Sequence, residues 1–406
     1  MQMSDLVCGL TKAWQAQGLP ESSKAVDVII HSTGGLIVRD WLHTEFASKS
    51  RKPPINNLVM LAPANFGSPL AHKGRAFYGR VLKGIRAEKR FNTGTHILKA
   101  LEMASEYSWD LADNDRFNNN LFSTTGVRTT VIVGNTGYKG ISSIANEPGS
   151  DGTVYVATAN MNCAKVEMSF PAGNRKPKVK AINESRGDVA FLLVDGANHS
   201  SVAHKDDNFP GNTQLIKDIV KALDISNTEG FEVWLAQCAK RTKKVMDINA
   251  EDSRDYKHGF QNTVFRVRDD QGFDVQDYVI EFYSNEQEGE DTLAEEFNRR
   301  AIRKVHAWGD NAAYRSFLIN INRLNEVMDK PDEILRISLS AVPDLDDEKN
   351  YVGYRTFGDR DIGELELTFD QVRQFFQPNR TLFVDITLTR QQKEGLFWIR
   401  NKQDVE

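Results

Sequence analysis

Cysteine is scarce in this 406-residue chain: Cys8, Cys163 and Cys238 are widely spaced and odd in number. That pattern excludes a disulfide framework and a zinc site built on paired cysteines, and it fits a reducing compartment. No apolar run approaches the roughly 18 residues of a membrane span. The N-terminus lacks the basic-then-apolar pattern of a secretory leader. A net charge of −5 leaves no basic field for nucleic acid and no polybasic surface for anionic lipid. Internal repeats and low-complexity tracts are missing as well. Read as written, the chain is cytoplasmic, binds no nucleic acid, carries no integral membrane segment and calls for no metal or cofactor.

What is present is enough apolar material for a large core, 40% hydrophobic against 26% charged residues. The length corresponds to two or three domains of about 150 residues each. Leu6, Val7, Leu10 and Trp14 recur at helical spacing over 4–17, before a Gly-Leu-Pro break. The apolar run Val26–Ile30 ends in a glycine-rich turn and predicts a buried parallel strand. Leu36, Ile37, Trp41 and Leu42 then share a helical face. Further strands are predicted at Leu58–Leu61, Thr129–Val133 and Ala190–Val194, and a closing helix at Thr213–Leu223. Strands alternating with helices predict a doubly wound parallel sheet. Residues 70–120 interrupt that rhythm with a helical, aromatic- and charge-rich insertion. From about 228 the texture becomes β-like, with runs at Thr263–Arg268, Tyr278–Tyr283, Ile334–Val342, Leu365–Phe369 and Leu382–Thr389. Turn residues between them suit a β-sandwich, with one helix over about 291–306 lying across it.

Chemistry concentrates at three places. Residues 26–42 read VDVIIHSTGGLIVRDWL, an apolar strand, a His-Ser-Thr-Gly-Gly turn and an amphipathic helix. A sharp strand-to-helix turn lifts a serine hydroxyl above a sheet edge, and small neighbours relieve the crowded backbone. The amide after the serine then opens a helix, where its N–H faces a developing oxyanion. Ser32 is the candidate nucleophile and Thr33 N–H one candidate oxyanion donor. A capping serine at an ordinary turn would use the same residues. Gly149-Ser150-Asp151-Gly152-Thr153-Val154 offers a carboxylate in a glycine-flanked turn, which a solvent-exposed Asp-Gly turn would also produce. Asp195-Gly196-Ala197-Asn198-His199-Ser200-Ser201-Val202 places a histidine in the loop leaving the last predicted parallel strand. His204 competes with His199 from within the helical approach, and Asp195 competes with Asp151 from the histidine's own loop.

The elbow Ile30-His31-Ser32-Thr33-Gly34 resembles the G-x-S-x-G of α/β-hydrolase lipases and esterases, with isoleucine in place of the first glycine. The S-D-G-T-V string and the histidine loop are similar to that family's acid and base segments. Chain order, Ser32 then Asp151 then His199, is the order this fold uses. The resemblance covers approximately residues 4–225. It implies an α/β fold: a partial α/β-hydrolase parallel sheet over 1–227 lacking its first strands, with a helical cap at about 70–120. A β-rich, sandwich-like domain over 228–406 follows. It also implies a Ser-Asp-His triad cleaving acyl esters or lipids through an acyl-enzyme. The run Leu61–Pro69 reads as a pocket wall or a tight loop. Phe66, Phe77 and Leu98 are the expected substrate contacts, together with Tyr78, Val81, Leu82, Ile97, Leu101 and Met103 along an acyl channel. An amphipathic helical pair covering the sheet would use the same cap residues.

Only 25 residues precede Val26, room for one helix and for no glycine-rich loop bearing a second oxyanion donor. The expectation is therefore a truncated start, with a degenerate or split enzyme as the alternative; a leader lost with that start would change the localisation. A non-catalytic remnant would leave the C-terminal half docking a protein or lipid surface. An acyltransferase would use the same triad.

Overall fold

The computed structural model describes residues 2–71, 95–171, 176–251, 254–283, 292–342, 352–354 and 365–392. A parallel sheet has the order β1 (Val26–His31), β2 (Ile55–Leu61), β3 (Arg128–Gly134) and β6 (Ala190–Val194). β2 and β3 are flanked by strands on both sides and almost wholly buried, which is why they read as unbroken apolar runs. The longer helices among the described residues are α1 (Met3–Ala16), α2 (Gly34–Glu45), α3 (Asn212–Leu223) and α4 (Thr228–Asn249).

α1 and α2 pack through Trp14 and Trp41, with ring centroids 5.0 Å apart. α3 anchors β2, since Asn57 Nδ2 donates to the carbonyls of Leu223 and Ile225. α4 closes the free edge of β6. The Thr242 hydroxyl donates to Phe191 O and accepts from Leu193 N, both at 3.0 Å, supplying the pairing that another strand would give. Trp234 Nε1 adds a bond to Thr130 Oγ1. Among the described residues no helix is long and apolar enough to cross a membrane.

The second sheet is mixed and six-stranded, in the order β5-β4-β14-β7-β10-β9. β4 is Ala164–Phe170, β5 Lys178–Glu184, β7 Phe260–Asp269, β9 Ile302–Ala307, β10 Tyr314–Asn320 and β14 Arg380–Leu388. β4, β14 and β7 run parallel, and the outer pairs are antiparallel. A three-stranded antiparallel sheet, β13 (Leu365–Thr368), β11 (Ile334–Val342) and β8 (Asp277–Tyr283), faces it. Phe265 and Phe317 of the larger sheet meet Phe282 and Phe297 across this core. The β-rich half is thus two facing sheets, as its turn spacing predicted.

The junction at 227/228 does not separate the sheets. β4 and β5 precede it yet pair with β14, and α4 follows it yet packs on β6. The helix expected over 291–306 stops early. Thr292–Ala301 is helical, and β9 then takes over because Ile-Arg-Lys-Val-His-Ala alternates partly buried and exposed side chains at period two. In the insertion, residues 95–101 and 106–112 are helical as expected, whereas 72–94 lie outside the described residues.

Candidate active site

β1 ends at His31, and Ser32 takes up the positive φ of 57° that the sharp turn requires. Bonds hold this strained residue on both sides: Ser32 N donates to Leu61 O, and Ser32 O accepts from Gly35 N and Ala64 N. The turn is tight at Gly34 and leaves no room for a side chain at Gly35. A Cβ on Gly34 would stand 3.2 Å from Ile30 Cβ, and one on Gly35 would stand 2.7 Å from Pro63 Cβ. The isoleucine that replaces the usual first glycine therefore fits because Gly34 leaves it room. Thr33 is the N-cap of α2, placing its amide at the positive end of the helix dipole.

Arg39, one turn into α2 and fully buried, fixes that helix from beneath. Its guanidinium makes paired bonds of 2.8 and 2.9 Å to the buried Asp115 and a third of 2.6 Å to Asn65 O. Asn65 in turn donates to Ala159 O. The elbow, the turn after β2 and the segment carrying the acid are thus linked by one buried polar network.

Asp151 lies in the turn predicted for it, with no exposed surface. Its Oδ1 accepts from Thr153 N at 2.9 Å and Val154 N at 2.8 Å, and its Oδ2 lies 2.8 Å from His199 Nδ1. Asn198 caps a short helical turn at His199–Val202 by accepting from Ser200 N and Ser201 N. The base loop then crosses the end of β3 so closely that a Cβ on Gly134 would come within 2.0 Å of Ala197 O. His199 N donates to Asp151 O at 2.9 Å, so backbone and side chain are both tied to the acid.

His199 Nε2 stands 3.1 Å from Ser32 Oγ. A carboxylate only accepts, so Nδ1 carries the ring proton and the Nε2 lone pair is aimed at the serine hydroxyl. Ser32, Asp151 and His199 are 6%, 0% and 2% exposed, so the chain of bonds operates in a low dielectric. The structure brings these three together and leaves the two competitors elsewhere. Asp195 accepts from Asn135 Nδ2 and Lys257 Nζ; partial burial opposes its ionisation, but these bonds outweigh it and hold its carboxyl below the ordinary range. His204 sits in a left-handed turn after the helical turn, its N–H donating to Ser201 O.

Of the expected substrate contacts, Phe66 is 1% and Leu98 6% exposed. Phe66 lies between the Arg39 guanidinium, 4.9 Å from its centroid, and the Phe383 ring at 5.4 Å. Leu98, with Ile97 and Leu101, belongs to the core under the parallel sheet. Phe77, Tyr78, Val81 and Leu82 lie outside the described residues.

Sequence reasoning left Arg39, Asp115, Asn198 and Tyr138 unassigned. Only Asn198 carries a local signal, an N-cap residue directly before His-Ser-Ser. Tyr138 donates to or accepts from Thr153 Oγ1 at 2.9 Å beside the acid, and burial pushes its phenol up to about 12.

No protein-family model and no curated protein sequence matches this chain. Among solved structures, phospholipase PlaB from Legionella pneumophila superposes with a TM-score of 0.80 at 22% identity. The match covers 99% of this chain and 85% of that one. The fold is that of PlaB. A second PlaB structure, in complex with thio-NAD, matches with a TM-score of 0.79. The Bacillus licheniformis lipase BlEst2 matches 53% of the chain at a TM-score of only 0.31, too distant to support an argument. The PlaB fold includes both the parallel sheet and the β-rich half, so the α/β-hydrolase resemblance read from the first 225 residues is one part of a larger likeness.

Proposed function

We propose that the chain is a serine carboxylic-ester hydrolase acting on acyl esters of lipids, with Ser32 as nucleophile, His199 as general base and Asp151 as its orienting acid. The observation that carries this reading is the unbroken line Ser32 Oγ, His199 Nε2, His199 Nδ1, Asp151 Oδ2, at 3.1 and 2.8 Å. Two backbone amides on the other carboxylate oxygen hold Asp151 in place. Likeness in fold to a phospholipase supports lipid esters as the substrate class.

As Ser32 Oγ attacks the ester carbonyl, its proton passes to His199 Nε2, and Asp151 stabilises the imidazolium that results. The Thr33 amide, at the start of α2, is placed to meet the negative charge that develops on the carbonyl oxygen. Collapse of the tetrahedral adduct breaks the carbon–oxygen bond to the alcohol, which leaves with the proton from His199. Water then gives a proton to His199 and attacks the acyl-enzyme, and the fatty acid departs as Ser32 regains its hydroxyl.

The test has two arms: labelling by a fluorophosphonate probe, and release of fatty acid from phosphatidylcholine vesicles and p-nitrophenyl esters. Both are expected in the wild type and absent in Ser32→Ala. Equal labelling of the two proteins would remove Ser32 from the site.

A further inference from the structure

His31, the last residue of β1, directly precedes the nucleophile, yet its side chain turns to the base. Its Nε2 lies 3.3 Å from the backbone carbonyl of His199, and the two imidazole rings meet in a tilted contact, centroids 4.6 Å apart at 48°. A carbonyl only accepts, so His31 Nε2 carries a hydrogen and donates it.

We propose that His31 is a positioning residue for the general base, fixing the His199 backbone from the nucleophile side and supplying an uncharged surface against its ring. This rests on the reading of Ser32, Asp151 and His199 as a triad. The His199 peptide groups are then held from two directions: its N–H by Asp151 O and its carbonyl by His31. The base cannot drift away from the serine without breaking one of these bonds. The 3.1 Å spacing to Ser32 Oγ is therefore set by backbone anchors as well as by the carboxylate.

The neutrality of the ring matters as much as its bond. In the transition state His199 becomes cationic, and a second imidazolium in contact with it would oppose that step. The titratable and charged groups that face His31 are His199 and Lys205 from the base loop and Asp151 from the acid turn. Burial first, and then repulsion from His199 and Lys205, push His31 down to about 4, which favours the uncharged ring at neutral pH.

The test measures kcat and KM of the full chain on a p-nitrophenyl ester across pH 5–9, with a thermal melt of each variant. His31→Phe keeps a ring in contact and loses the donor; kcat is expected to fall about tenfold with KM unchanged. His31→Gln restores a neutral donor and is expected to recover to within about threefold of wild type. His31→Arg places a permanent cation against the base and is expected to move the acid limb of kcat/KM down by about one pH unit. A purely structural role would leave that limb in place. Wild-type kcat in a folded His31→Phe, or an unmoved limb in His31→Arg, overturns the assignment. Should His31→Phe fail to fold, the limb of His31→Arg decides alone. Absence of Ser32-dependent turnover in the wild type would refute the hydrolase reading instead. In that event, imidazole NMR of Ser32→Ala with and without His31→Arg still decides, since a His199 titration unaffected by the new charge sinks the proposal.

Discussion

All three members of the proposed triad hang from connections at the ends of the parallel strands β1, β3 and β6, while the six-stranded sheet contributes none of them. Strands of that second sheet and the turns leading into them are nevertheless joined to the acid's segment at four points. Gly149 N donates to Tyr256 O, Lys304 reaches Glu147, Asn160 Nδ2 donates to Asn379 O, and Thr381 Oγ1 donates to Ala157 O. Residues 147–160 thus run between the two halves, with Asp151 facing His199 and both backbone and side chains of the segment bonded to the β-rich half. On the proposed reading the parallel sheet supplies the reacting groups. The mixed sheet fixes the turn that carries the carboxylate, so chemistry and support are divided between regions far apart in sequence. Changes at the triad should alter rate without unfolding, and changes in the support should do the reverse.

The largest effect should come from Asp151→Asn. An amide cannot stabilise the imidazolium and favours the wrong His199 tautomer, so kcat is expected to fall on the order of 10⁴-fold. Asp195→Asn, whose carboxylate pairs with Lys257 and Asn135 away from the triad, should stay within about threefold of wild type. Parallel esterase assays and melts on the two variants check this pair. A reversal of their order would hand the acid role to Asp195.

Next is Arg39→Met. It leaves Asp115 buried without its partner, and loss of one member of a buried ion pair costs about 3–5 kcal/mol. Since Arg39 also holds Asn65 beneath the elbow, this variant tests the division within the parallel sheet itself. Denaturant unfolding should show the loss; an unchanged midpoint would mean that α2 does not depend on this anchor.

Much of the candidate site was legible because its signals are local. Buried parallel strands read as apolar runs, and each proposed catalytic side chain sits beside glycines or a cap whose backbone needs are visible in five or six letters. The second sheet has no such signature. β4, Ala-Lys-Val-Glu-Met-Ser-Phe, alternates correctly, but its partner β14 begins at Arg380, and no local pattern encodes a pairing across that distance. β5 is an edge strand with no buried position. In α4 only Phe231, Trp234, Cys238, Thr242 and Asn249 are buried, a stripe too narrow and too polar to stand out as a core helix. The Arg39–Asp115 pair joins residues 76 positions apart and depends on the fold for its existence.

A pH experiment gives the third effect. The folded-state pKa of His31 is about 4 against an unfolded value near 6.5, so between these limits the unfolded chain binds more protons. Stability from this residue is complete above about pH 6.5 and is lost as the pH falls toward about 4, a change of about 2 kcal/mol after allowance for the ring's partial exposure. Melts of Ser32→Ala and of Ser32→Ala with His31→Gln at pH 7 and pH 4.5 isolate it. The second protein should lose less on acidification, and equal losses would place the ring in contact with water.

The smallest effect falls on the supporting side and is the sharper test of the division. Thr381, buried on β14, donates to Ala157 O at 3.2 Å and accepts from Asn262 Nδ2 at 3.2 Å. Thr381→Val keeps the branched shape and removes both bonds, leaving a buried carbonyl and a buried amide short of a partner at a cost of about 1–2 kcal/mol. The melting temperature should drop, while kcat of the folded protein and its pH profile should match the wild type, because Ala157 lies beyond the turn and Asp151 keeps its bonds to Thr153 N and Val154 N. If kcat instead falls at a temperature where the variant is fully folded, the hydrogen bonds of β14 reach the carboxylate. The mixed sheet would then be part of the catalytic machinery rather than its foundation.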